Sequence, residues 1–326
     1  MNSSRVKNQF LVSYLNYNLG ADQNHMLSVF MLVYNQEGFI SQTLESILHQ
    51  KTSFPFNLVI GEDCSTDNTR AIIEAYKKQY PDKIKVISSS QNVGLINNFI
   101  RTVNHCDGKY IAICDGDDFW IDEHKLQMQV DFLENNSDYS IAFTRKQDVL
   151  PNGTISAYQP TNPDTSNFTD LINGNYIPSV TAVFRNKVNG ALAIKWLHKY
   201  PYGDWPLYLY TVSDGSKIKF IDTITAAYRK DIGVSAKVRA SKTGVIQVNL
   251  RILKDLYDDQ AFEKHKTIII KSIRNHQIKY MLALVAEDQF LKSIKLFLSL
   301  LLKVNPIKLT KSYLFSLKKR FLTARQ

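Results

Sequence analysis

Between residues 27 and 144 short apolar runs alternate with amphipathic stretches, and this alternation leaves few folds open. The runs at 27–34, 56–62, 84–88, 110–114 and 140–144 are the length of strands and rich in Val, Ile and Leu, as strands buried on both faces are. Between them, 37–50 carries Ile40, Leu44, Ile47 and Leu48 at helical spacing, and 95–103 continues the pattern. Residues 122–134 set Leu126, Val130 and Leu133 on one helical face. Ser65-Thr66-Asp67 offers capping oxygens for a helix that runs to Tyr80, where Pro81 stops it. Repeated βα units of this size predict an α/β fold, a Rossmann-like, mostly parallel sheet with helices on both faces.

The second half is less regular. Residues 151–177 are rich in Pro, Asn, Thr and Gly, which predicts a long surface loop. A strand is expected at 179–184, helices at 187–199 and 205–212, and a closing strand at 217–228. From about residue 244 every stretch is helical: 245–257, 266–284, 290–302 and, past Pro306, 309–322. We therefore divide the chain into an extension (1–25), an α/β domain (26–240, with halves 26–145 and 146–240) and a basic helical appendage (241–326). Met26 stands just before the first strand, as a start codon would, so 1–25 reads as a mobile extension or an upstream mis-start.

Charge separates the appendage from the rest. Forty Lys and Arg face thirty Asp and Glu, a net charge of +10. Nine of the basic residues and no acid fall within 289–326, leaving thirty-one against thirty in the first 288 residues. A nearly neutral body with a basic tail argues against nucleic acid as the partner and points to an acidic surface met by the tail. Cys64, Cys106 and Cys114 form no paired framework and have no C-x-x-C spacing, which suits a reducing compartment. No run of about 18 apolar residues predicts a membrane span, and 1–10 lacks the apolar core of a secretory signal.

In a parallel sheet every strand-to-helix loop emerges on one side, and ligands bind there. The four loops in question hold Tyr34-Asn35, then Glu62-Asp63-Cys64-Ser65-Thr66-Asp67, then Asn92-Val93-Gly94, then Asp115-Gly116-Asp117-Asp118. Each has a bland alternative as a cap or turn, but polar loops at four successive strand ends converge on one rim. Carboxylates crowded as at 115–118 repel unless a cation or donors compensate, and a hard divalent metal carrying a phosphorylated substrate would do so. The chain lacks G-x-G-x-x-G, G-x-x-x-x-G-K-[ST] and G-x-S-x-G, which removes the dinucleotide fingerprint, the P-loop and the nucleophile elbow.

These pieces, in this order, make residues 26–235 resemble the family 2 glycosyltransferases of the A-type fold. Val33-Tyr34-Asn35-Gln36-Glu37, the 62–67 loop, Asn92-Val93-Gly94, Asp115-Gly116-Asp117-Asp118-Phe119-Trp120 and Lys125-Leu126-Gln127-Met128-Gln129 carry the resemblance. It implies an inverting, nucleotide-sugar-dependent enzyme. It implies further that Tyr34, Asn35 and Asn92 line a nucleotide pocket, that Asp63 bonds the base, and that Asp115 faces the ribose or donor sugar. Asp117 would bind Mg²⁺ or Mn²⁺ bridging the diphosphate, and Asp118 would orient the sugar or support its neighbours. Inversion also needs a base for the acceptor hydroxyl; Asp204, in Tyr202-Gly203-Asp204-Trp205, matches the family's acidic-Trp motif. In Tyr228-Arg229-Lys230-Asp231-Ile232-Gly233-Val234-Ser235, Arg229 or Lys230 would neutralise phosphate charge, although Asp231 stands where relatives often have His.

The expectation is a transfer of a hexose-type sugar, with UDP as carrier, to a saccharide or lipid-linked acceptor in surface polysaccharide synthesis. The alternatives are a nucleotidyltransferase on a related fold or a catalytically silent membrane-associated adaptor. The tail pattern, with Leu291, Ile294, Leu298, Leu301 and Leu302 among lysines, suits either an anionic membrane surface or packing on the enzyme. The expected location is cytoplasmic, peripheral at the inner face of the membrane.

Overall fold

The computed structural model describes residues 25–157, 162–188, 190–232 and 241–323. All but His25 of the expected extension lies outside them, as does Gly233-Val234-Ser235. The expected alternation forms as β1 (Leu27–Val33), α1 (Ile40–Leu48), β2 (Phe56–Glu62), α2 (Thr69–Gln79), β3 (Ile84–Ser88), α3 (Leu95–Val103) and β4 (Tyr110–Ile113). It continues through β5 (Phe119–Trp120), α4 (Lys125–Asn135) and β6 (Tyr139–Val149). Strands β1, β2, β3 and β4 are parallel.

Side chains alternate across this sheet, as the period of two requires. Phe30, Leu32, Val59, Ile111 and Ile113 face the layer that contains Phe99 and Val103 of α3. Val29, Met31, Leu58, Ile60 and Ala112 face Ile40 and Leu44 of α1, Ile73 of α2 and Leu126 of α4. Each helix thus buries the stripe seen in the sequence. Helix α3 sits unusually close: Asn98 Nδ2 donates to Gly61 O at 2.7 Å. A Cβ on Gly61 would lie 2.0 Å from Thr102 Oγ1.

The second half departs from expectation in three places. The described residues of 151–177 do not form one loop over the surface. They supply β7 (Ile155–Ala157) antiparallel to β6, β8 (Thr165–Ser166), and α5 (Phe168–Leu171). Phe168, Leu171, Ile172 and Ile177 are buried in the core. Such short pieces leave no readable period, and α5 is stabilised by a capping box between Asn167 and Asp170. The strand expected at 179–184 begins instead with a 3₁₀ turn, and β9 (Val183–Arg185) enters antiparallel between β4 and β6. The helix expected at 187–199 does not form; only Leu197–Lys199 closes a 3₁₀ turn. Side chains take the place of helical bonds there. Val188 N–H donates to Asn186 Oδ1 at 2.9 Å and Leu192 N–H to Asn104 Oδ1 at 2.8 Å. Val188, Leu192, Ile194 and Leu197 are buried all the same, so their spacing signalled core without signalling helix.

Helix α6 (Asp204–Thr211) and β10 (Lys217–Arg229) complete the sheet, whose order is β3-β2-β1-β4-β9-β6-β10-β5; β8 pairs β10 off this path. Then follow α7 (Lys242–Asp258), α8 (Lys266–Ala286), α9 (Phe290–Leu300) and α10 (Pro306–Thr323). Ile252, Leu253 and Leu256 of α7 join the main core, whereas the end of α8 packs with α9 and α10 in a separate cluster around Met281, Val285 and Leu300. No helix among the described residues is long and apolar enough to cross a membrane.

Candidate active site

The parallel register sets the rim. Val33 pairs with Glu62, and Phe30 with Ile113, so the chain that continues past each strand emerges beside its neighbours. Asp63 N–H donates to Val33 O at 3.1 Å and Gly116 N–H to Leu32 O at 3.0 Å. The first, second and fourth loops therefore begin as extensions of one sheet.

Side chains then stitch the loops together. Asn35, with φ of 52°, donates its N–H to Ser65 Oγ at 3.1 Å, and its Oδ1 accepts from Thr66 N–H at 2.8 Å. Glu37 Oε2 accepts from Asn68 N–H at 2.9 Å, and Asp67 Oδ2 from Glu37 N–H at 3.2 Å. Asp63 is nearly inaccessible, and its two oxygens accept from Val93 N–H at 2.9 Å and Gly94 N–H at 3.0 Å. Arg101 Nη2 lies 3.7 Å from the same carboxylate. Asn92 Oδ1 accepts from Gly94 N–H at 3.0 Å. Asn35, Asp63 and Asn92 thus hold the loops, while Tyr34 presents an exposed ring at the rim.

The three aspartates of the fourth loop divide. Asp118 is buried, and its Oδ1 accepts from Arg229 N–H at 2.9 Å. Burial and the neighbouring Asp117 push it well above the ordinary carboxylate range. Asp115 is pushed up to about 7 by burial and by Asp117, against the pull of Leu32 N–H, with Asp204 adding to the rise. Burial raises Asp117 as well, opposed by its own backbone amide, Arg229 and a hydrogen bond from Gln36. Crowding at this strand end is therefore real and only partly compensated.

Arg229 reaches this cluster from the end of β10. Its guanidinium lies between Phe39 and Phe119, 4.7 Å from each ring centroid. Nη1 donates to Asp117 O at 2.6 Å, and Nη2 donates to Gln42 Oε1. Lys230 stands 3.9 Å from Asp148, and Asp231 adopts φ of 61° at an exposed position.

Asp204 approaches from the second half. It opens α6, where the helix dipole favours an anion. Asn175 Nδ2 donates to its Oδ2 at 2.8 Å, and its charge is near enough to raise Asp115. Trp205 is fully buried, its indole donating to Leu171 O at 2.9 Å, so it packs the core beneath the site. The fold therefore groups Asp115, Asp117, Asp118, Arg229 and Asp204, and joins Asp63 to the Asn92 turn. Sequence reasoning assigned no part to Gln36, Gln42, Arg101 or Asn175; Asn175 lies in the stretch taken for a surface loop, and nothing in the local pattern marks the others.

Among the described residues no three acidic, His or Cys side chains converge as a metal cage. The donor set still suits Mg²⁺ or Mn²⁺ in the manner of nucleotide enzymes, where one or two carboxylates suffice and substrate phosphates supply other ligands. Asp115 and Asp117 are half-buried, whereas Asp118 is buried and already committed inward.

The profile of the family described as "Glycosyl transferase family 2" matches residues 28–192, half of the chain and all of the first three loops with the acidic fourth. The chain belongs to glycosyl transferase family 2. Family membership agrees with the resemblance carried by its loops. The chain spans about a third of the length of the first curated relatives it matches, mycobacterial proteins 36% identical over 117 residues. It is 23% identical over 235 residues to the UDP-Glc:alpha-D-GlcNAc-diphosphoundecaprenol beta-1,3-glucosyltransferase WfgD of Escherichia coli, covering 72% of this chain and 85% of that one. In fold it is similar to TarS of S. aureus, solved with UDP-GlcNAc, with TM-score 0.58 and 19% identity over 92% of this chain and 91% of that one. A mannosyltransferase of Pyrobaculum calidifontis, solved with GDP-Man and Mn2+, gives TM-score 0.55 and 14% identity over 96% and 89%.

Proposed function

We propose that this family 2 glycosyltransferase moves a hexose-type sugar from a UDP-sugar to a saccharide or lipid-linked acceptor, with inversion, in surface polysaccharide synthesis. The approach of Asp204 to the acidic strand end carries the reading. One carboxylate from the acceptor side stands near enough to the donor-side group for its charge to raise Asp115.

The division of labour follows. Tyr34 stacks on the base, and Asp63, with Asn92 and Asn35, holds the loops against which the base rests. Asp115 faces the ribose or donor sugar, and Asp118, buried and bonded to Arg229 N–H, supports the loop behind it. Asp117 would hold Mg²⁺ or Mn²⁺, which supplies charge neutralisation for the leaving diphosphate. Asp204, ionised at its helix terminus, takes the proton from the acceptor hydroxyl. That oxygen attacks the anomeric carbon from the face opposite the phosphate, whose C–O bond breaks with the electron pair leaving on UDP. Arg229 sets the position of the Asp117 backbone and strengthens the positive field there. We assign donor binding to 26–145, acceptor binding to 146–240 and membrane contact to 289–326, with the enzyme working at the cytoplasmic face of a membrane.

A panel of nucleotide sugars incubated with the protein and divalent metal tests the proposal. Hydrolysis or transfer with a UDP-hexose, giving a product of opposite anomeric configuration by NMR, is the expected result. Turnover with retained configuration, or with no donor at all, would overturn it.

A further inference from the structure

The C-terminal hairpin is apolar on two sides. Its inward side is explained: Phe297 stacks on Tyr313 with centroids 4.7 Å apart, and Leu300, Leu309 and Tyr313 are buried against α8. Its outward side is not. On α9 and the turn after it, Leu291, Leu298 and Leu302 recur at helical spacing, with Leu291 79% and Leu302 97% exposed. On α10, Ile307, Leu314 and Phe315 fall on the helix face opposite Leu309 and Tyr313, and Phe315 is 71% exposed. Lys311 and Lys318 lie within that stripe, one turn from Leu314 and Phe315, and are also exposed. An open groove of about 580 Å³ between α8 and α10 is lined by Leu282, Phe315, Ser312, Ser316, Lys311 and Lys319. Stripes of large apolar side chains this exposed are uncommon on helices that face only water.

We propose that the outward faces of α9 and α10 dock the enzyme on an anionic phospholipid surface. Their apolar side chains enter the interface, their lysines meet lipid phosphates, and the groove seats a headgroup. Charge selects this occupant. From residue 289 onward there are nine Lys and Arg and no acid, so a second copy docked face to face would oppose like charges. A helix with leucines and phenylalanines on one face and lysines that can snorkel beside them lies in an interface without crossing it. The docking deepens the membrane contact assigned above but needs no donor sugar, so it can fail or hold independently of the transfer reaction.

The test is co-sedimentation of the full chain with vesicles of phosphatidylcholine alone and of phosphatidylcholine with phosphatidylglycerol. We expect binding to the anionic vesicles stronger by about tenfold or more, falling with added salt. Two double variants, Leu298→Glu with Phe315→Glu and Lys311→Glu with Lys318→Glu, should each lower it about tenfold, at unchanged circular dichroism and thermal midpoint. Equal binding to neutral vesicles, or binding that neither variant alters, would overturn the proposal. So would a self-associated species in sedimentation velocity that the first variant dissociates while vesicle binding is absent.

Discussion

At Arg229 the guanidinium is held between Phe39 and Phe119 and spends its donors on Asp117 O and Gln42 Oε1. A side chain so committed fixes the loop that carries the acidic group. Arg229→Ala should therefore cost stability, about 2–3 kcal/mol in urea unfolding from the lost charged hydrogen bonds and ring contacts. Arg229→Lys should recover little of it, because an ammonium cannot span both acceptors in one plane. Asp204 stands in another position: it opens a helix at the rim, where Asn175 orients its carboxylate. Asp204→Asn should leave stability and UDP affinity near wild type and lower kcat by about 10²–10⁴-fold, measurable by calorimetry and a transfer assay. A large loss of UDP affinity instead would mean that Asp204 serves the donor.

Among the elements, α6 is anchored at its end by Lys187, whose Nζ donates to Thr211 O and lies 2.6 Å from Asp214 Oδ2. Partial burial pushes Asp214 upward, but hydrogen bonds from Lys187 and Ser216 outweigh it and hold the carboxyl at about 2. A depressed carboxyl adds stability above its unfolded value near 4, and that stability fades as pH falls through the folded value. The aspartate is more than half exposed, so the contribution is below about 1 kcal/mol. Asp214→Asn should lower the thermal midpoint slightly at pH 7, and the difference from wild type should shrink between pH 4 and 2.

The same elements show what a sequence can and cannot tell. The strands at 56–62 and 84–88 and the helix at 95–103 were readable to the residue, because a buried strand, a half-covered edge strand and a one-sided helix each show in their apolar positions. The helix at 187–199 was misread because the backbone that brings Val188 and Leu192 to the core is held by side chains, Asn186 beside it and Asn104, which is distant in sequence. Loop chemistry was legible where a loop ends a strand, as at Asp115–Asp118. The partners Gln36 and Asn175 were not, since only tertiary packing brings them to Asp117 and Asp204.

For the whole molecule, the parallel half of the sheet is a platform that projects four polar loops to one rim. The antiparallel insertion of β9 and the long β10 carry the second half, with Asp204 and Arg229, up to it. The helices beyond share part of this core through α7 and turn a basic, apolar face outward through α9 and α10. In the proposed mechanism the rim binds a nucleotide diphosphate through a metal on Asp117. A ligand that binds only the folded state raises its thermal midpoint, so thermal unfolding of wild type and Asp117→Ala with UDP, with and without Mn²⁺, tests this most directly. The expected result is an upward shift that needs both UDP and metal and vanishes in the variant. No shift in wild type with any nucleotide, or an equal shift in Asp117→Ala, would contradict it.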